Sequence, residues 1–128
     1  LPAIAWAIFI LVLCTSSNGG FVPTNFIGEF TDKFGHAFVF SVLAICLMIG
    51  FIKQSDSKRS IKTMRLKSAS IAGIYGIAIE LIQHFFTTDR RGEFNDVVAD
   101  CVGITIGLLF VHLIYGKLNA LERKQKTQ

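Results

Sequence analysis

The chain has 128 residues, 52% hydrophobic and 17% charged, against about 25% charged in an ordinary soluble domain. Its apolar residues are gathered in long blocks instead of alternating along amphipathic segments, which argues against a soluble globular enzyme. The net charge of +4 does not indicate nucleic acid, because ten of the thirteen Lys and Arg residues lie in one linker and the tail, where the cytoplasmic face of a membrane protein collects them.

The first apolar block covers about residues 1–14. At about 1.5 Å per residue it reaches roughly 20 Å, short of the ~30 Å hydrocarbon core. A full crossing therefore requires residues before Leu1 or a helix continuing past Cys14. A polar loop follows, Thr15 to Thr31, and the second block covers about 32–52. Lys53 to Lys67 is a basic linker. The third block covers about 68–86, Thr87 to Asn95 is a short polar turn, and the fourth block covers about 96–115.

Four spans return both termini to one side, and the basic linker and basic tail fall on that same side. The expected architecture is an all-α membrane protein: a four-transmembrane-helix bundle with both termini cytoplasmic and short outer loops. Residues 1–116 form one transmembrane domain and 117–128 a charged cytoplasmic tail. Cys14, Cys46 and Cys101 form no CxxC pair and read as buried structural thiols. Trp6 and Tyr115 read as lipid-facing or interfacial aromatics, and His112 as an interface anchor.

Seven of the nine acidic residues fall at the outer end of this bundle. Burying a carboxylate in hydrocarbon costs at least about 2.5–3.5 kcal/mol, so those inside the apolar blocks call for a reason. Asp32 and His36 are four apart and share a helix face. Glu80, Gln83 and His84 stack on one face of the third block, continued inward by Gly76, Gly73 and Ala69. Asp96 and Asp100 share a face of the fourth block, continued by Gly103 and Gly107. Small residues at this spacing let membrane helices approach closely, so the stripes of blocks three and four are expected to face each other. Arg90 and Arg91, in the turn between them, are placed to fold over the acidic cluster, and Lys33 sits beside it.

This arrangement resembles the VanZ-like family of small bacterial membrane proteins. The residues that carry the resemblance are Asp32-Lys33-x-x-His36, Glu80-x-x-Gln83, Arg90 or Arg91, and Asp96-x-x-x-Asp100-x-x-Gly103, with Thr15-Ser16-Ser17 ending the first helix. Ala37, Phe40 and Asp100 depart from the family's frequent Phe, Tyr and Asn. The resemblance implies a multi-pass protein of the bacterial cytoplasmic membrane and, through the family's named member, a link to resistance against teicoplanin-type antibiotics.

Two functional classes fit these residues. The first is a binding or envelope-modulating protein whose outer cluster (Asp32, Lys33, His36, Glu80, Gln83, Arg90, Arg91, Asp96 and Asp100) holds a lipid headgroup, a wall precursor or a glycopeptide-related ligand, since carboxylates, an amide and guanidinium groups supply both acceptors and forked donors. The second is an enzyme at the membrane boundary, with Glu80, Asp100 and His36 as acid–base groups. No Ser or Cys is placed as a nucleophile beside His36, which favours binding over catalysis. Proton movement and plain helix clamping are the weaker alternatives. A variant of the enzyme class would use a metal bound by His36, Glu80, His84 and Asp100, but no HExxH or comparable spacing is present, so no metal and no cofactor is expected, and membrane lipids are the expected partners.

Overall fold

A computed structural model describes residues 2–15, 26–54, 61–86 and 94–127, with the side chains of 26–32, 118–123 and 126 outside the description. The described chain is all-helical: α1 (Pro2–Thr15), α2 (Phe26–Gln54), α3 (Ile61–Phe86) and α4 (Phe94–Lys126). Three of these helices contain stretches long and apolar enough to cross a membrane, Lys33–Gln54, Ile61–Phe86 and Phe94–Lys117, whereas α1 has 14 residues.

The helices outrun the apolar blocks for local reasons. Helix α3 begins seven residues before the apolar block, inside the basic linker. Its first turns bury Met64 and Ser68 at i, i+4 spacing while Lys62 and Lys67 stay exposed. Long basic side chains extend away from an apolar contact without breaking the helix. Helix α4 continues to Lys126 because the tail is rich in Lys, Leu, Ala, Glu, Arg and Gln, all good helix formers, and has no proline. Helix α2 starts at Phe26, through the segment expected to be loop.

The outward faces are apolar. Leu66 and Ile74 are each 69% exposed, and Ile77, Leu81, Val102, Ile106, Phe110 and Leu113 are exposed with them. A continuous surface of this kind is a lipid-facing surface, not a water-facing one. The interior holds Ile10, Phe40, Leu43, Ala44, Met48, Ala72, Ile79, Ile104 and Leu108.

The most extensive helix contact is between α2 and α4, and two glycines make it close. A Cβ built at Gly103 would overlap the carbonyl oxygen of Ala37 and stand 2.7 and 2.8 Å from that residue's carbonyl carbon and Cα. One built at Gly107 would overlap the carbonyl oxygen of Ser41 and stand 3.1 Å from its carbonyl carbon. The small-residue stripe of α4 therefore packs on the backbone of α2, not on the stripe of α3 as expected from sequence. Gly73 also departs from expectation: nothing lies within 4 Å of a Cβ placed there. The buried line on α3 runs Met64, Ser68, Ala72, Gly76, Glu80. This is an i±4 ridge, inclined to the helix axis, and Gly73 falls off it.

Helix α1 is fastened by side chains donating to backbone carbonyls. Trp6 Nε1 donates to Val39 O at 2.9 Å, Tyr75 Oη donates to Ala7 O, and Gln83 Nε2 donates to Cys14 O at 3.0 Å. Trp6 is thus an inter-helix donor and half-buried, instead of the lipid-facing or interfacial aromatic expected. The cysteines are also not uniformly buried. Cys14 is, Cys46 is half-buried and Cys101 is exposed on the outward face of α4. Asp100 takes the inward position beside Cys101, and successive helix residues point about 100° apart.

Candidate functional site

The acidic end of the bundle is where α3 ends and α4 begins. Helical rise places Glu80 about 9 Å before the end of α3 and Asp100 about 9 Å past the start of α4. Equal depth brings them together, and His36 joins from α2. His36 Nδ1 lies 3.2 Å from Asp100 Oδ1, at the long limit of an N–H···O bond. One ligand-type atom each of His36, Glu80 and Asp100 lie within 4.8 Å of one another. All three residues are buried, His36 at 5%, Glu80 at 7% and Asp100 at 2% exposure. Three helices thus each contribute one titratable side chain to one point.

Gly76 makes room for the third of these. A Cβ there would stand 3.0 Å from Asp100 Oδ2 and 3.3 Å from the Phe40 ring. Among the described residues Asp100 Oδ2 has no hydrogen-bond partner. Asp96, one turn nearer the start of α4, is buried on the same face as Asp100. Chemically the point offers an imidazole and two carboxylates. That set can accept hydrogen bonds from a polar ligand, pass a proton, or coordinate a divalent ion.

The other sequence-predicted residues distribute as follows. Gln83 is buried, and its amide N–H is turned to the last turn of α1 through Cys14 O, one of the carbonyls a helix C-terminus leaves without an intrahelical donor. Lys33 lies half-buried, one turn before His36. His84, grouped with Glu80 and Gln83 by spacing, is instead exposed and stacks edge-on against Phe85 at 5.2 Å. Its angular position explains this: relative to Gly76, Gln83 sits about 20° to one side and His84 about 80° to the other. Arg90, Arg91 and the side chain of Asp32 lie outside the described residues. Sequence reasoning missed Tyr75, which looks like an ordinary apolar-block aromatic until its hydroxyl is seen bonded to Ala7.

Away from this end, Ser68 is the one buried polar side chain among the described residues. It donates to Met64 O at 2.9 Å. The polar cluster therefore stops within the acidic half, and no buried titratable chain continues across the described bundle, which counts against a proton path.

Fold and site together define a small helical membrane protein with a buried His–Glu–Asp junction near one end of its bundle. The chain matches the VanZ/LLP1 family over residues 3–115 and belongs to it. No curated protein and no solved structure matches it.

Proposed function

We propose that this VanZ-family protein binds a polar cell-envelope ligand, a lipid headgroup or wall precursor, at the acidic end of its bundle, and that this end faces the outer leaflet of the bacterial cytoplasmic membrane with both termini inside. The observation that carries the reading is the convergence of His36, Glu80 and Asp100 from three helices in an otherwise apolar interior. A bundle held only by packing gains little from such groups, since apolar replacements of a buried charged set are often neutral or stabilising. A ligand with amide, hydroxyl or ammonium donors would meet acceptors already fixed by their helices.

The orientation is supported by the basic residues: Lys58, Arg59, Lys62, Arg65 and Lys67 fall between α2 and α3 or early in α3, opposite the acidic end. In a protein with its three native cysteines replaced by Ser, a single Cys at Thr88 should label from outside and one at Ser57 from inside; the opposite pattern would move the site to the cytoplasmic leaflet.

The binding test uses the protein in nanodiscs, with headgroup composition varied and a soluble wall-precursor pentapeptide added. A cognate ligand at about 100 times its Kd raises stability by about 2.7 kcal/mol. Glu80→Gln keeps shape while deleting charge and basicity. It should leave an inserted, folded protein and remove that ligand-dependent stabilisation. Retention of the full shift in Glu80→Gln would sink the assignment.

A second reading is favoured by the His36–Asp100 pair, since a carboxylate beside an imidazole is the arrangement that orients a general base. It predicts chemical conversion of the bound ligand, lost in His36→Gln; an unchanged ligand recovered from the wild-type protein decides for binding.

A further inference from the structure

We infer that His36, Glu80 and Asp100 form a binding site for one first-row divalent metal ion of the zinc class, with a coordination position left open. The inference uses the same three side chains as the envelope-ligand reading but does not rest on it, because it concerns only their capacity to hold an ion.

The geometry carries it. A zinc-class ion holds imidazole nitrogen and carboxylate oxygen at about 2.0–2.2 Å, so neighbouring donors on a tetrahedral ion stand roughly 3.3–3.6 Å apart. The pair His36 Nδ1 and Asp100 Oδ1, at 3.2 Å, already has the spacing of one such edge. No separation in the three-atom set exceeds 4.8 Å. Closing the longest of them therefore takes at most about 1.5 Å, within ordinary side-chain adjustment.

Three further features point the same way. The donors come from α2, α3 and α4, so the helix packing fixes their relative positions. Asp100 is 2% exposed, and among the described residues its Oδ2 has no hydrogen-bond partner, leaving a second carboxylate oxygen for the ion or its bound water. A buried carboxylate oxygen of this kind is costly unless it is paired or coordinates a metal. Gly76 keeps the space in front of that oxygen clear, since a methyl there would stand 3.0 Å from it.

The donor set narrows the metal. One imidazole and two carboxylates suit zinc, or manganese and iron(II), better than copper(I), which selects sulfur, or magnesium, which keeps oxygen ligands and most of its water. Three protein donors on a tetrahedral ion leave the fourth position to water, as in reactive zinc sites. Cys101 is exposed on the other side of α4 and supplies no thiolate.

The test uses the full chain in detergent micelles, stripped with a chelator and titrated with Co2+ alone as a spectroscopic probe, followed by competition with Zn2+. One Co2+ per chain should bind with the intense ligand-field absorption of a four-coordinate site, and one Zn2+ should displace it. Glu80→Gln and His36→Gln should each weaken binding by more than about 100-fold, the upper range for losing even a supporting group. His84→Gln, His112→Gln and Cys101→Ser should leave it unchanged. Absorption-edge fine structure on the zinc-loaded wild type should show nitrogen and oxygen neighbours including one imidazole, which decides the matter even if a site variant fails to fold. A stoichiometry near zero, loss of binding in the His84 or His112 variants, or sulfur in the zinc shell overturns the site. No envelope ligand is present in the assay, so its failure is distinct from failure of the envelope-binding reading.

Discussion

Replacing Gly103 by Ala tests how the bundle is held. The added methyl would overlap the carbonyl oxygen of Ala37 and sit 2.7 and 2.8 Å from its carbonyl carbon and Cα. Ordinary carbon contacts are about 3.5–4.0 Å, so α4 must withdraw from α2 by roughly 1 Å. Backbone, unlike the tip of a side chain, has no rotamer to yield. A gap of about 0.5–1 Å forfeits a quarter to a half of each contact's attraction, and it propagates along the seam to Gly107 and Ser41. Overpacking of this kind costs about 1–3 kcal/mol and sometimes more. Against it stands the gain of Ala over Gly in a helix interior, about 0.8–1.0 kcal/mol. The net expectation is a loss of up to about 2 kcal/mol. Gly73→Ala is the matched control, because nothing lies within 4 Å of its Cβ; it should gain up to about 1 kcal/mol from helix propensity alone. The helix gain is common to both variants, so they should differ by the overpacking cost, about 1–3 kcal/mol, in reversible unfolding in mixed micelles. Equal stabilities, or a stabilised Gly103→Ala, would refute the close α2–α4 seam.

Gly76→Ala should separate site geometry from folding. Its methyl presses on the Asp100 carboxylate at 3.0 Å, a side-chain end that can shift by a few tenths of an ångström, so unfolding free energy should change by no more than about 1 kcal/mol while metal affinity falls; an unaltered affinity would place Oδ2 outside the site. Tyr75→Phe should remove the bond to Ala7 O and loosen α1 by about 0.6–1.5 kcal/mol, read as faster amide exchange in α1 with α2–α4 unaffected; exchange rising equally in all four helices would show that α1 is not an independently released element.

The four helices were legible as four apolar blocks, because a lipid-facing surface forces long apolar runs. Their ends were not. Lys62, Arg65 and Lys67 read as linker by hydropathy, yet a helix tolerates charge on its outer face, and Met64 and Ser68 supply the inward side. His36, Glu80 and Asp100 were legible as site candidates because they are titratable groups sharing polar faces inside or beside apolar blocks, and the equal helical depth of Glu80 and Asp100 helps to bring them together. Helix partners were harder to read. The Gly103–Gly107 stripe announces that some backbone approaches closely, but a stripe of missing side chains carries no mark of whose backbone it is, and it proved to be that of α2. His84 was misplaced because the buried arc at this end of α3 runs from Ile79 through Gln83 to Glu80, and His84 lies about 40° beyond Glu80. The fastening of α1 was illegible, since Trp6, Tyr75 and Gln83 donate to carbonyls that every sequence possesses.

The position of the cluster relative to these fastenings bears on why it exists. The α2–α4 seam is set by Gly103 and Gly107 against Ala37 and Ser41, through backbone contact. Helix α1 is held by three donors, of which only Gln83 comes from the acidic end. The middle and far parts of the bundle pack through Leu43, Ala44, Met48, Ala72, Leu108 and Val111. The glycine contacts of the α2–α4 seam and the fastening of α1 thus involve neither Glu80 nor Asp100. Two carboxylates and an imidazole at the meeting point of α2, α3 and α4 then cost desolvation that simple packing would have avoided. Membrane proteins retain such residues where they meet an ion, a proton or a polar ligand. The absence of a buried titratable chain beyond Ser68, among the described residues, argues against proton transit. The convergence of His36, Glu80 and Asp100 from three helices is therefore the feature that the proposed ion or ligand site accounts for and that packing alone does not.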